Sequence, residues 1–154
     1  MDFSGLAAYS TAAIWAATFT FAFVSGIIPF ILNIEVYLLA VAALTDASLV
    51  PIVGLAAAGQ TLAKYVLYLV GRGSLNIRWV KKAAASKAAD AFARRPRSSL
   101  SVVASSALVG IPPIYAVALM AGTLRLPRVA FLVILGIGLL IRFGAIYLVP
   151  GFFK

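Results

Sequence analysis

The chain contains no cysteine and no histidine. Together these absences remove disulfides, thiolate and imidazole metal sites, redox dithiols and any His-based catalytic triad. Acid is scarce as well, with four Asp and Glu against 13 Lys and Arg. Charged residues make up only 11% of the chain, where a soluble domain carries about a quarter. Apolar side chains fill the difference, at 64% of residues and a mean hydropathy of +1.08. Such a chain has too little polar surface to cover itself in water, and an integral membrane protein is expected.

The basic excess could be read as a nucleic-acid footprint. However, eight of the 13 cations lie between Arg72 and Arg97, next to a hydrophobic run, which is the usual topogenic pattern. No nucleic-acid partner is expected. The opening "MDFSGLAAYSTAAIW" has no basic n-region, and the first cation is Lys64. The opening apolar run is therefore expected to belong to the mature protein.

Four apolar blocks can be read: about Leu6 to Leu44, Leu49 to Val70, Leu100 to Leu124, and Leu126 to Val149. A span needs about 20 helical residues to cross a core ~30 Å thick, so the second and fourth blocks qualify. The third is split by Gly110-Ile-Pro-Pro113 into pieces too short to cross alone, because Pro112 and Pro113 remove backbone donors and clash with the preceding turn. If that block crossed once, Arg125 and Arg128 would face away from the cations of 72–97. If it enters and turns back, all ten share one side, as the positive-inside rule prefers. The first block is interrupted in the same way by Gly26 and Pro29, the same three residues apart as Gly110 and Pro113. Whether 6–44 is one hairpin or a span plus a re-entrant piece is left open.

The expected fold is an all-α integral membrane protein. Two full transmembrane helices are joined by two Pro-broken re-entrant helical hairpins in an inverted pseudo-repeat. One membrane domain covers 1–154, with half one at about 6–71, a basic cytoplasmic segment at 72–98, and half two at about 99–150. Proline-interrupted segments in corresponding halves point to a midplane substrate site. The basic segment reads as an interfacial helix at the inner leaflet of a cell (inner or plasma) membrane. Its Arg72, Arg78, Lys81 and Lys82 either gather anionic lipid or only set topology.

Ionisable residues inside a membrane are costly and are functional candidates by default. Glu35, just past the first break, would carry a proton or hydrogen-bond freed backbone groups. Arg142 lies too deep in the last block to snorkel comfortably; it would grip a phosphate bidentately or pair with Glu35. Lys64, near the basic end of its block, is expected to snorkel or to bind substrate. Asp46 is either a second proton site or a turn residue.

Three stretches, "FVSGIIPFILNIEVYLLAVAAL" (23–44), "GLAAAGQTLAKYVLYLVGRG" (54–73) and "GIPPIYAVALMAGTLRLPRVAFLVILGIGLLIRFG" (110–144), resemble the DedA family, also called the VTT or SNARE-associated domain family, and its short branch most closely. The shared pattern falls here on Pro29 and Glu35, Gly59 with Gly71-Arg72, Pro112-Pro113, Ala121-Gly122, and Phe131 with Arg142. The resemblance implies two facing re-entrant hairpins and movement of lipid between leaflets, with proton coupling. The chain departs from the pattern around its second proline pair, where "ASSALVGIPPIY" lacks the family's arginines. A phosphate-gripping role would fall to Arg142 or Lys64.

The leading expectation is a transporter of phospholipid or polyprenyl phosphate, with membrane lipids and protons as partners, no metal and no cofactor, and a homo-oligomer left open. A proton-coupled exporter of small molecules or cations and a non-transporting membrane scaffold are the alternatives. An enzyme is not expected, since no nucleophile–base pair or metal set is present.

Overall fold

A computed structural model describes residues 3–28, 33–45, 48–73 and 96–149. These residues form six helices and no strand: α1 (Phe3–Ile27), α2 (Ile34–Leu44), α3 (Leu49–Gly71), α4 (Pro96–Val109), α5 (Ile114–Thr123) and α6 (Arg128–Leu148). The sequence-predicted Pro29, Asp46, Arg78, Lys81 and Lys82, and most of the basic segment, lie outside the described residues.

Local chemistry accounts for the boundaries. Pro51 sits in the first turn of α3 and Pro127 at the N-cap of α6, positions where a missing N–H leaves no intrahelical bond unmade. Pro96 opens α4 for the same reason. Gly110 follows α4 at φ +84°, a conformation that favours glycine, and Pro113 then caps α5. Between them the Ser106 hydroxyl donates to the Pro112 carbonyl at 2.6 Å.

The first apolar block differs from the third. Its arms are unequal, 25 residues in α1 and 11 in α2, against 14 in α4 and 10 in α5. At ~1.5 Å per residue α1 is about 37 Å long, more than twice the length of the helix that follows it. The chemistry of the break also differs: Asn33 begins α2 by accepting a hydrogen bond from the Glu35 N–H at 2.9 Å.

Among the described residues, two helices are long and apolar enough to cross a membrane: α3, 23 residues, and α6, 21 residues, with mean hydropathies of 1.3 and 2.5 over an 18-residue window. They pack against each other and carry the rest. α1 lies along α3 and α4 along α6, while the short helices cross over, α5 onto α3 and α2 onto α6. Small residues set the close approaches. A Cβ on Gly59 would fall 2.7 Å from the Phe19 carbonyl oxygen, and one on Gly138 would meet the Ala107 side chain. The outer face is apolar, with Leu44, Val50, Ile111 and Val129 all strongly exposed. Water would penalise such a surface, whereas hydrocarbon would not.

Candidate functional site

The polar groups converge where the long helices meet the ends of the shorter arms. α1 ends against the last third of α3. There the Lys64 ammonium, 2% exposed, donates to the Gly26 carbonyl at 2.5 Å. Beside it the Gln60 amide donates to the Ser25 hydroxyl at 3.0 Å, which donates in turn to the Ala22 carbonyl at 3.1 Å. A helix C-terminus carries unsatisfied carbonyls and partial negative charge, so a cation and hydroxyls are suited to it. The same relation recurs in the second half. α4 ends at Val109, and Gly110 lies directly against the Arg142 guanidinium, close enough that a Cβ there would fall 2.6 Å from Nη1.

Arg142 does more than face that helix end, since its guanidinium also pairs with the Glu35 carboxylate. Glu35 is the second residue of α2, in the first turn, where the helix dipole favours negative charge. The pair is part-buried, its side chains 33% exposed at Glu35 and 20% at Arg142. Of the two partners the sequence left open for Arg142, phosphate or Glu35, the carboxylate is the one in contact. Of the two roles expected for Lys64, snorkelling or substrate binding, its burial and its bond to the Gly26 carbonyl do not fit snorkelling.

These groups line one cavity of about 280 Å³, bounded by Ser25, Asn33, Glu35, Gln60, Lys64, Gly110, Pro113, Tyr115 and Arg142, with Leu139 and Phe143 as part of its apolar wall. The cavity thus unites Glu35, Arg142, Lys64 and the breaker residues Gly110 and Pro113. Gly26 adjoins it through its bond from Lys64. Arg72 does not take part: at the C-cap of α3 it donates to the Tyr68 hydroxyl at 2.7 Å, and that hydroxyl donates to the Leu126 carbonyl at 2.7 Å. Sequence reasoning missed Gln60, Ser25, Asn33 and Tyr115. Of these, Gln60 alone left a signal, as a lone amide inside an apolar block four residues before Lys64.

The class defined so far is a helical protein with two span-length apolar helices and a charged cavity between its broken elements. No protein-family model, curated protein or solved structure matches the chain.

Proposed function

We propose that this protein is a multi-pass membrane transporter, similar in design to the DedA family, that carries an anionic lipid headgroup between leaflets. The substrate class is phospholipid or polyprenyl phosphate. The observation that carries the reading is the single cavity holding Glu35, Arg142 and Lys64 between two span-length helices. Charged groups at that depth are expensive unless they serve an ion or substrate path.

In this reading α4 and α5 form a re-entrant hairpin entered from the cytoplasm, and α1 with α2 form the facing hairpin, entered from the other side, with α1 ending inside the protein at Lys64. The exchanged packing, α5 on α3 and α2 on α6, supports an inverted repeat, as does the cation meeting a helix end in each half. The basic segment 72–98 lies on the cytoplasmic face of the cell membrane.

Glu35 and Arg142 neutralise each other. A phosphate entering from a leaflet competes with the carboxylate for the guanidinium, which binds phosphate in the same forked geometry. Protonation of Glu35 frees Arg142 for the headgroup, while the acyl chains remain in lipid outside the apolar wall. Binding and proton uptake are coupled through that exchange of partners.

The test is reconstitution into liposomes with headgroup-labelled phospholipid, the label then being quenched from outside. Rapid loss of the protected inner half, abolished by Glu35→Gln or Arg142→Ala in folded protein, supports transport through this site. Full retention of that half with phospholipid and with polyprenyl phosphate would sink the reading in favour of the exporter or the scaffold.

A further inference from the structure

The two broken elements restart in parallel ways. α2 begins Asn33-Ile34-Glu35 and α5 begins Pro113-Ile114-Tyr115, each with its N-cap first. All six of these residues line the cavity. The long helices match too, with Lys64 on α3 beside Gly26 and Arg142 on α6 beside Gly110. In one half-pairing the cation of α6 meets a carboxylate at the start of α2. In the other the cation of α3 shares the cavity with the start of α5, where the corresponding residue is a tyrosine. Lys64 therefore stands where Arg142 stands, but with no carboxylate beside it among the described residues.

Charge counting points the same way. Among the described residues Glu35 is the only acidic side chain, and it is already paired with Arg142. Lys64 is almost wholly buried, and its hydrogen-bond partner there is the neutral Gly26 carbonyl. A buried ammonium facing one carbonyl is poorly compensated, and the cavity carries one excess positive charge. Around it stand further polar groups: the Gln60 amide, the Ser25 hydroxyl and the Tyr115 phenol.

We infer that Lys64, with Gln60 and Tyr115, forms a first anion position that accepts one negative charge from the ligand, a phosphodiester monoanion, before the Glu35–Arg142 pair opens to the headgroup. The lipid reading above supplies the source of that anion, since phosphodiesters are the monoanions of a phospholipid surface. A phosphomonoester dianion would overcharge the cavity unless Glu35 were neutralised. A dianion such as polyprenyl phosphate therefore enters only with Glu35 protonated, and Lys64 favours a net negative headgroup over a zwitterion.

The test measures binding rather than transport. Thermal unfolding of the purified full-length chain in neutral detergent is followed with short-chain phosphatidylglycerol, phosphatidylcholine or phosphatidic acid, and with soluble glycerophosphoglycerol. The wild type should bind phosphatidylglycerol about tenfold more tightly than phosphatidylcholine. Stabilisation by the soluble diester as well assigns the contact to the phosphate alone, whereas stabilisation by the lipid only adds a need for acyl chains. Lys64→Met should remove the preference, and Glu35→Gln should shift it toward phosphatidic acid. Tyr115→Glu, which installs the missing carboxylate without deleting a cation, should abolish binding by itself and covers the case in which Lys64→Met does not fold.

Equal binding of the charged and zwitterionic lipids by the wild type, or full phosphatidylglycerol binding by Tyr115→Glu, overturns the inference. A chain that binds phosphatidylglycerol selectively but moves no lipid in liposomes overturns the transport reading and leaves the Lys64 site standing. Movement of lipid without charge preference does the reverse.

Discussion

Arg142 on α6 donates to Oε1 of Glu35 on α2, 107 positions earlier in the chain, and this contact ties a short helix of the first half to the long helix of the second. The guanidinium simultaneously backs onto Gly110, so one side chain fixes the start of α2 against the end of α4.

The two charges should therefore be strongly coupled. Removing either leaves the other part-buried and unpaired, a penalty that approaches ~3–5 kcal/mol for full burial and is smaller here because both side chains keep some exposure. Glu35→Gln and Arg142→Gln should each destabilise by about 1–3 kcal/mol, and the double variant by clearly less than their sum. Denaturant unfolding of the four proteins in one detergent checks this. Strict additivity would show that the pair contributes no mutual stabilisation.

A second expectation concerns the end of the molecule away from that pair. The Tyr68 hydroxyl, with no exposure at all, donates to the Leu126 carbonyl and accepts from Arg72, while its ring stacks on Phe131 with centroids 5.0 Å apart. Tyr68→Phe keeps the ring packing and deletes both bonds. It should cost about 1–3 kcal/mol, because a buried carbonyl is left unsatisfied. Arg72→Met should cost less than about 1 kcal/mol, since Tyr68 keeps its bond to Leu126. A reversed order of the two melting losses would contradict this account.

Much of the helix layout was legible in the sequence, because it rests on apolar length and proline. Leu49 and Leu126 mark the spans to within a few residues of their helices, and Gly26 and Gly110 mark the breaks. The site was legible only in parts. A lysine near the end of an apolar block reads as snorkelling, and only the docking of α1 onto α3 turns Lys64 inward. The residues that restart the helices share no common signal, since α2 is begun by Asn33 through a side-chain cap and α5 by Pro113. The Glu35–Arg142 pair was legible as one of two options, because opposite charges inside apolar blocks have few other partners.

The glycines should separate into two classes. A Cβ on Gly71 would strike the Leu119 carbonyl, and one on Gly122 the Tyr68 carbonyl, where α3 and α5 lie backbone to backbone. Backbone cannot yield as a flexible side chain does, so Gly122→Ala should cost about 3 kcal/mol. Gly54 has open space at its Cβ and borders an apolar groove of about 460 Å³ between α3 and α6. Gly54→Ala should stabilise by about 0.5–1 kcal/mol through helix propensity alone. Parallel melting curves decide the matter, and equal effects at the two positions would mean that the α3–α5 contact is looser than described.

The last expectation concerns topology. The Thr123 hydroxyl donates to the Gly71 carbonyl at 3.2 Å, and Tyr68 reaches Leu126, so the end of α5 and the start of α6 lie beside the end of α3. α3 and α6 then run in opposite directions, with Ser48 and Val149 at the far end. The natural absence of cysteine gives a clean background for single-Cys labelling with a membrane-impermeant reagent. Arg72→Cys and Arg128→Cys should label from one face only, and Ser48→Cys and Val149→Cys from the other. By the positive-inside rule the first face is expected to be the cytoplasmic one. Labelling of Arg72→Cys and Arg128→Cys from opposite faces would mean that 96–124 crosses the membrane once, and would remove the re-entrant hairpin on which the proposed transport path depends.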